Sequence, residues 1–287
     1  MSSRKSFIQK TFLGIAGTVA VPLLSRSNSF QPNKKENENN GTNPSDLPVG
    51  FAGYTFAKFD LDTSITMMKK VDVHYLSVKD IHLPLNSSQE TIDAAMVKFK
   101  AAGINVYAVG VIYMKTKEAA DQAFAYAKKV GMNMIVGAPS YDVLDYAEKK
   151  VKEYTIKLAI HNHGPEDALY PGPKDVYDRI KNRDARIGLC IDIGHATRAG
   201  VKVEDAVKEY KDRLFDLHIK DVTLAEKDGK AIEVGRGVIN FPALVSSLKK
   251  IGYKGISSIE FEKDMEDPMV GIAESVGYYK GVVAAER

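Results

Sequence analysis

The chain has 287 residues, 40 Lys and Arg against 37 Asp and Glu, a formal charge of +3 and 44% hydrophobic residues. That balance excludes a disordered protein, which is poorer in apolar residues and richer in net charge. Near-neutrality also argues against a nucleic-acid partner, whose phosphates call for a strongly basic face. The single cysteine, Cys190, excludes a disulfide framework and a zinc site built from thiolates.

In chain order, residues 1–25 come first. A basic start (Arg4, Lys5, Lys10) precedes an uncharged stretch from Thr11 to Ser25. The stretch is short for a membrane span and has the form of a secretory signal. Ser3-Arg4-Lys5-Ser6-Phe7-Ile8 resembles the twin-arginine export motif, with Lys5 in place of the second arginine. The expectation is export to the periplasm, with a cytoplasmic or membrane-anchored protein as the alternative. Residues 26–47 are rich in Asn, Ser, Pro, Lys and Glu, too polar to order themselves, and read as a disordered linker. Residues 48–287 remain as the folded domain, close to the size of a TIM barrel.

Eight strand-like apolar runs follow, at 49–52, 74–78, 105–111, 133–136, 157–161, 186–191, 214–219 and 255–261. Amphipathic helical patterns alternate with them, for example at 89–102, 118–130, 143–154, 174–181, 203–210 and 241–251, and a last helix is expected at 268–283. Gly103, Gly131 and Gly252 stand where helices end in a left-handed cap. Strict alternation predicts a parallel sheet, and eight units predict a closed (β/α)8 TIM barrel, an α/β single domain. The alternative is an open doubly wound sheet. Neither a Gly-rich dinucleotide turn nor a P-loop is present, so the barrel is preferred.

In such a barrel, functional groups collect at the C-terminal ends of strands. Strand 5 ends in His161-Asn162-His163-Gly164-Pro165-Glu166, strand 6 in Asp192-Ile193-Gly194-His195, strand 7 in His218-Ile219-Lys220-Asp221 and strand 8 in Glu260-Phe261-Glu262. Four consecutive strands thus deliver imidazoles and carboxylates to one mouth. Each residue alone is compatible with a helix cap or a solvated loop; together they predict a metal site. The mixed donors suit one divalent ion among Mn, Zn, Co, Fe or Mg rather than Ca.

These residues resemble the sugar phosphate isomerase/epimerase family, the xylose-isomerase-like TIM barrels that include endonuclease IV. The resemblance covers about residues 48–285. It rests on Asp192-Ile193-Gly194-His195, His218-Ile219-Lys220-Asp221, Gly235-Arg236-Gly237-Val238-Ile239-Asn240, and Gly252-Tyr253-Lys254-Gly255 leading to Glu260. It implies one divalent metal held by a strand-5 carboxylate, Asp192, His218 and Glu260, with His195 binding substrate. The strand-5 position departs from the pattern: many members have Glu-Asn, and this chain has His161-Asn162. His161 is therefore the expected fourth ligand, since a neutral imidazole ligates metals. A subset of relatives is similar in carrying His-Asn-His followed by Glu, and some of these are lyases or hydratases of 3-keto-sugars.

The implied activity is a sugar isomerase or epimerase moving a proton next to a carbonyl through an enediolate. A 3-keto-sugar lyase or hydratase, a three-metal nuclease and a non-catalytic carbohydrate-binding barrel are the alternatives. The implied partner is a small sugar or keto-sugar. Glu260 is the candidate base, with His163 and Glu166 as further acid/base candidates. His195 and Lys220 would position substrate oxygens. His82, just past strand 2, could contact hydroxyls. Arg236, in a lid-like segment at 221–240, could grip an anion.

Overall fold

Parallel strands covered on both faces need apolar residues along their length, and the runs identified above supply them. The computed structural model describes residues 47–286. Its elements are β1 (Val49–Ala52), α1 (Leu61–Lys70), β2 (Tyr75–Val78), α2 (Gln89–Ala101), β3 (Asn105–Met114), α3 (Lys117–Val130), β4 (Met134–Pro139), α4 (Leu144–Tyr154), β5 (Lys157–His161), α5 (Pro173–Ile180), β6 (Ile187–Asp192), α6 (Ile193–Arg198), α7 (Val203–Glu209), β7 (Leu214–Ile219), β8 (Asp221–Val222), β9 (Ala231–Ile232), α8 (Phe241–Lys250), β10 (Ser257–Ile259) and α9 (Met269–Ala285). Eight of the strands close a parallel barrel in the order β1-β10-β7-β6-β5-β4-β3-β2. The protein is a (β/α)8 barrel, as expected. The readings made for residues 1–46 lie outside the described residues. Leu47, assigned above to the linker, is buried in the core and belongs to the barrel. Among the described residues no helix is long and apolar enough to cross a membrane.

Side-chain alternation splits the core in two. Leu158, Ile160, Leu189, Ile191 and Ile259 join the large cluster shared with the helices. Ala108, Val136, Ala159 and Cys190 form a separate small cluster. They occupy the alternate strand positions, those that face the barrel axis. The same alternation turns His161, Asp192, His218 and Glu260 inward. Below them Tyr107 donates a hydrogen bond to Asp216 Oδ2 at 2.9 Å. Burial pushes the Asp216 carboxyl up to about 7.

Helix starts follow capping chemistry. Asp60, Ser88, Thr116 and Asn240 each accept a bond from a backbone N–H three residues on. The three glycines expected after helices do adopt positive φ. Helix α1 completes the first of the eight units, for which no pattern was named, and the short α6 is an addition. The short α6 follows β6 with no intervening loop, and Asp192 is both the last strand residue and its N-cap.

The segment at 221–240 is not a free lid. It carries the antiparallel pair β8–β9 and is organised by one buried carboxylate. Asp221 accepts bonds from the backbone N–H of Val222 (2.9 Å), Gly235 (2.9 Å), Gly237 (2.8 Å) and Ile239 (3.3 Å). A Cβ at Gly237 would lie 2.3 Å from Asp221 Oδ1 and from Val222 O, so only glycine admits this wrap. Replacing Asp221 strands several buried donors, each worth about 1–3 kcal/mol. Asp221→Ala is therefore expected to lower stability by at least about 3 kcal/mol in urea unfolding. Fast amide exchange should then appear at Gly235, Gly237 and Ile239.

Candidate metal and sugar site

Strand register sets the site. Asp192 of β6 stands opposite His218 of β7, and Ser258 of β10 stands opposite His218 from the other side. His161 closes β5 beside Cys190. One donor atom from each of His161, Asp192, His218 and Glu260 lies within 4.8 Å of the others. His161 Nε2 is 3.0 Å from His218 Nδ1, 3.7 Å from Asp192 Oδ2 and 3.9 Å from Glu260 Oε2. His218 Nδ1 is 3.3 Å from Glu260 Oε2. All four side chains are buried.

Neighbouring strand ends are clasped to hold this geometry. Asn162 turns away from His161 and grips β6: its Nδ2 donates to Asp192 O (3.1 Å) and its Oδ1 accepts from Asp192 N (3.0 Å). Asp192 divides its carboxylate. Oδ1 caps α6 by accepting from His195 N at 2.7 Å, which leaves Oδ2 for the site. Around Glu260, Thr55 Oγ1 donates to Ile259 O and accepts from Phe261 N, sewing β10 to the end of β1.

Lys220 enters this cluster from below Gly194, where a Cβ would press on the lysine stem at 2.8 Å. Its Nζ lies 3.1 Å from Asp192 Oδ2, 3.0 Å from Glu260 Oε2 and 3.0 Å from Glu262 Oε2. Burial opposes the charged ammonium, but the three carboxylates outweigh it and hold the group well above its ordinary range. Burial likewise works to raise Glu260, and Lys220 and His218 reverse that, holding it ionised. Burial lowers His161 and takes His163 to about 3 and His195 to about 4. These imidazoles are neutral near pH 7 and keep a lone pair. For His218 burial works downward, and Glu260 lifts it.

A cavity of about 370 Å³ opens above the cluster. One wall is His161, His163, His195, Glu260 and Glu262; the other is Tyr54, Lys79, Ile81, Val111 and Tyr113, from the ends of β1, β2 and β3. His163 belongs to a chain of polar contacts on this rim. Its Nε2 meets Tyr113 OH at 2.9 Å, and its Nδ1 lies 3.3 Å from Asp167 Oδ2.

The structure thus brings His161, His163, Asp192, His195, His218, Lys220 and Glu260 together. It separates three other candidates. His82 bonds to Phe56 O (3.0 Å) and Ser64 Oγ (3.3 Å) on the flank of α1, so its ring tethers that helix. Glu166 pairs with Arg198 rather than with His163, whose acidic neighbour is Asp167. Arg236 is exposed and forked onto Glu274 of α9, which holds it away from the cavity. Sequence reasoning missed Tyr54, Lys79, Tyr113 and the position of Glu262. Lys79 and Glu262 were legible only as polar residues just past strand ends. It also set the lone thiol aside, yet Cys190 lies within reach of His161 and His218. Burial raises its pKa, so it stays a thiol.

The family model of the xylose isomerase-like TIM barrel matches residues 114–281, and the chain belongs to that family. An inosose isomerase from Bacillus licheniformis is 28% identical over 131 residues, 44% of this chain and 47% of that protein. The chain spans less than half the length of the curated relatives it matches. Among solved structures, an uncharacterised protein from Parabacteroides distasonis is 27% identical with a TM-score of 0.63, covering 81% of this chain and 98% of that one. The fold is shared with the IolI protein with a bound zinc atom, at 17% identity and a TM-score of 0.69, covering 84% and 99%.

The Asn162 clasp gives a test of how the site is built. Asn162→Ala leaves Asp192 N and O without partners and is expected to cost about 2–3 kcal/mol. Because Asp192 then loses its anchor, calorimetric titration with Zn²⁺ should show weakened binding in the same variant.

Proposed function

We propose that the barrel is a divalent-metal-dependent sugar isomerase or epimerase. The observation that carries this reading is the buried set of His161, Asp192, His218 and Glu260 beneath a cavity at the C-terminal mouth. Donors about 2.0–2.2 Å from one tetrahedral ion stand about 3.3–3.6 Å apart. Four of the donor separations, at 3.0–3.9 Å, bracket that value, and all lie within 4.8 Å. Buried His161 Nδ1 and His218 Nε2 have no hydrogen-bond partner of their own, so the rings are not locked in another network. The residues fit the ion. Two imidazoles and two carboxylates favour Zn, Mn, Co or Fe over Mg. The name of the inosose isomerase relative supports the same reading.

When bound, the ion supplies Lewis-acid polarisation of a substrate carbonyl. The chain's own residues handle the proton. Glu260, ionised and bordering the cavity, takes it from the carbon next to the carbonyl. Epimerisation also needs a donor on the other face of that carbon. β3 and β5 flank the strand diametrically opposite β10, and from them Tyr113 and His163 line the cavity. The hydroxyl of Tyr113, backed by His163 and Asp167, is that donor. His195, on the cavity wall, positions substrate oxygens, and Lys220, buried beside the carboxylates, fixes their orientation. The Tyr54 and Ile81 side chains cover the less polar face of the sugar.

A second reading, a 3-keto-sugar lyase or hydratase, shares the first proton transfer. The same Tyr113–His163 pair then protonates a leaving oxygen. NMR in D₂O of metal-loaded protein with ketoses, aldoses and 3-keto-sugars separates the two. Deuterium at a carbon next to the carbonyl, with an isomeric product, supports the first; an unsaturated or hydrated product supports the second. Absence of exchange with every sugar would leave only a binding role.

Ligand and proton-transfer roles separate by mutation. His161→Ala is expected to weaken Zn²⁺ binding by about 10–100-fold or more. His163→Ala should keep full metal occupancy and lose turnover. Full occupancy in His161→Ala would remove His161 from the ligand set and favour the lyase or hydratase reading.

A further inference from the structure

The Lys220 ammonium has the surroundings of a bound cation. Three carboxylate oxygens, from Asp192, Glu260 and Glu262, lie 3.0–3.1 Å from Nζ. The side chain is only 3% exposed, and His195 Nε2 lies 3.4 Å from Nζ. Two of these oxygens, Asp192 Oδ2 and Glu260 Oε2, are the ones that also face His161. They are shared between the ammonium and the four-donor cluster, as a carboxylate bridge is shared between two metals.

We infer that Lys220 is a built-in substitute for a second metal ion and restricts the centre to one. This rests on the metal-site reading above. The geometry agrees with it: three carboxylate oxygens converge on one ammonium at 3.0–3.1 Å, and two of them also border the four-donor cluster. A second divalent ion would have to displace a tethered cation already held by three anions. Gly194 is part of the device, because the lysine stem reaches the carboxylates through the space its missing side chain leaves. Lys220 is accordingly a positioning residue. It holds Glu260 in place while leaving one face of that carboxylate for the ion.

The test is a count of ions. Full-length protein stripped with chelator and dialysed against Mn²⁺ is expected to bind one ion, with the electron paramagnetic resonance signal of an isolated centre. Lys220→Ala opens the three-carboxylate pocket and is expected to bind two, with the signal of a spin-coupled pair. Circular dichroism confirms the fold of each. Two ions in the unaltered protein, or a folded Lys220→Ala that still binds one, would overturn the inference and leave the metal-site reading standing. No ion in the unaltered protein would sink that reading and this inference with it. If Lys220→Ala does not fold, Lys220→Ala combined with Glu262→Gln preserves the net charge and an oxygen donor at 262. A second ion is expected there too at saturating Mn²⁺, and a count of one would be equally decisive against the inference.

Discussion

At the mouth of the barrel, Asp192, Glu260 and Glu262 share one ammonium, and the arrangement of β6, β7 and β10 depends on it. Like charges about 4 Å apart repel by about 4 kcal/mol at an effective dielectric of 20. Three carboxylates gathered this way without a cation would push their strands apart or take up protons. The lysine that prevents this comes from the turn after β7, between the two strands whose acids it binds. Its reach requires Gly194 in α6, and α6 in turn requires Asp192 as its cap. One residue, Asp192, therefore ties the helix, the buried lysine and the candidate ligand set together.

Much of this was legible in the sequence because strand periodicity and strand ends are local signals. Three of the eight barrel strands, at 49–52, 157–161 and 214–219, have the expected bounds, and the others differ at their ends. β3 runs on to Met114, beyond the expected 111, because it pairs with β4 through Met114↔Pro139. A proline at the end of a strand reads locally as a stop, while the barrel wall uses it in the last rung. The residues at 161, 192, 218 and 260 were visible as polar strand ends, and the resemblance singled them out from their neighbours; alternation is the reason the barrel turns them inward.

What was misplaced depended on side-chain direction beyond the strands. Glu166 is three residues from His163 in sequence, yet the turn at Gly164 carries it to Arg198. Arg236 looked available for an anion because its partner, Glu274, lies 38 residues on in another helix. Asp221, named in the sequence only within a motif, gathers backbone N–H groups of the Gly235–Ile239 turn. Tyr113 was missed because a tyrosine near a strand end has no signature of its own. Only the approach of β3 to the loop after β5 brings it to His163.

His161 is the position where this chain departs from the pattern of its resemblance, and the electrostatics of the mouth suggest why the change is tolerated. A glutamate there would add a third carboxylate to the four donors and a fourth to the buried group around Lys220. One ammonium and one divalent ion would then leave an uncompensated negative charge among buried groups. The imidazole removes that excess and still presents Nε2 to His218, Asp192 and Glu260. On the proposed reading, proton transfer on the side away from Glu260 then falls to a group outside the ligand set. The neutral His163, with Tyr113 on one nitrogen and Asp167 near the other, stands on that side of the cavity. On the proposed reading, the imidazole at 161 keeps the donor set in balance with one divalent ion, and the second proton-transfer group lies elsewhere on the cavity wall.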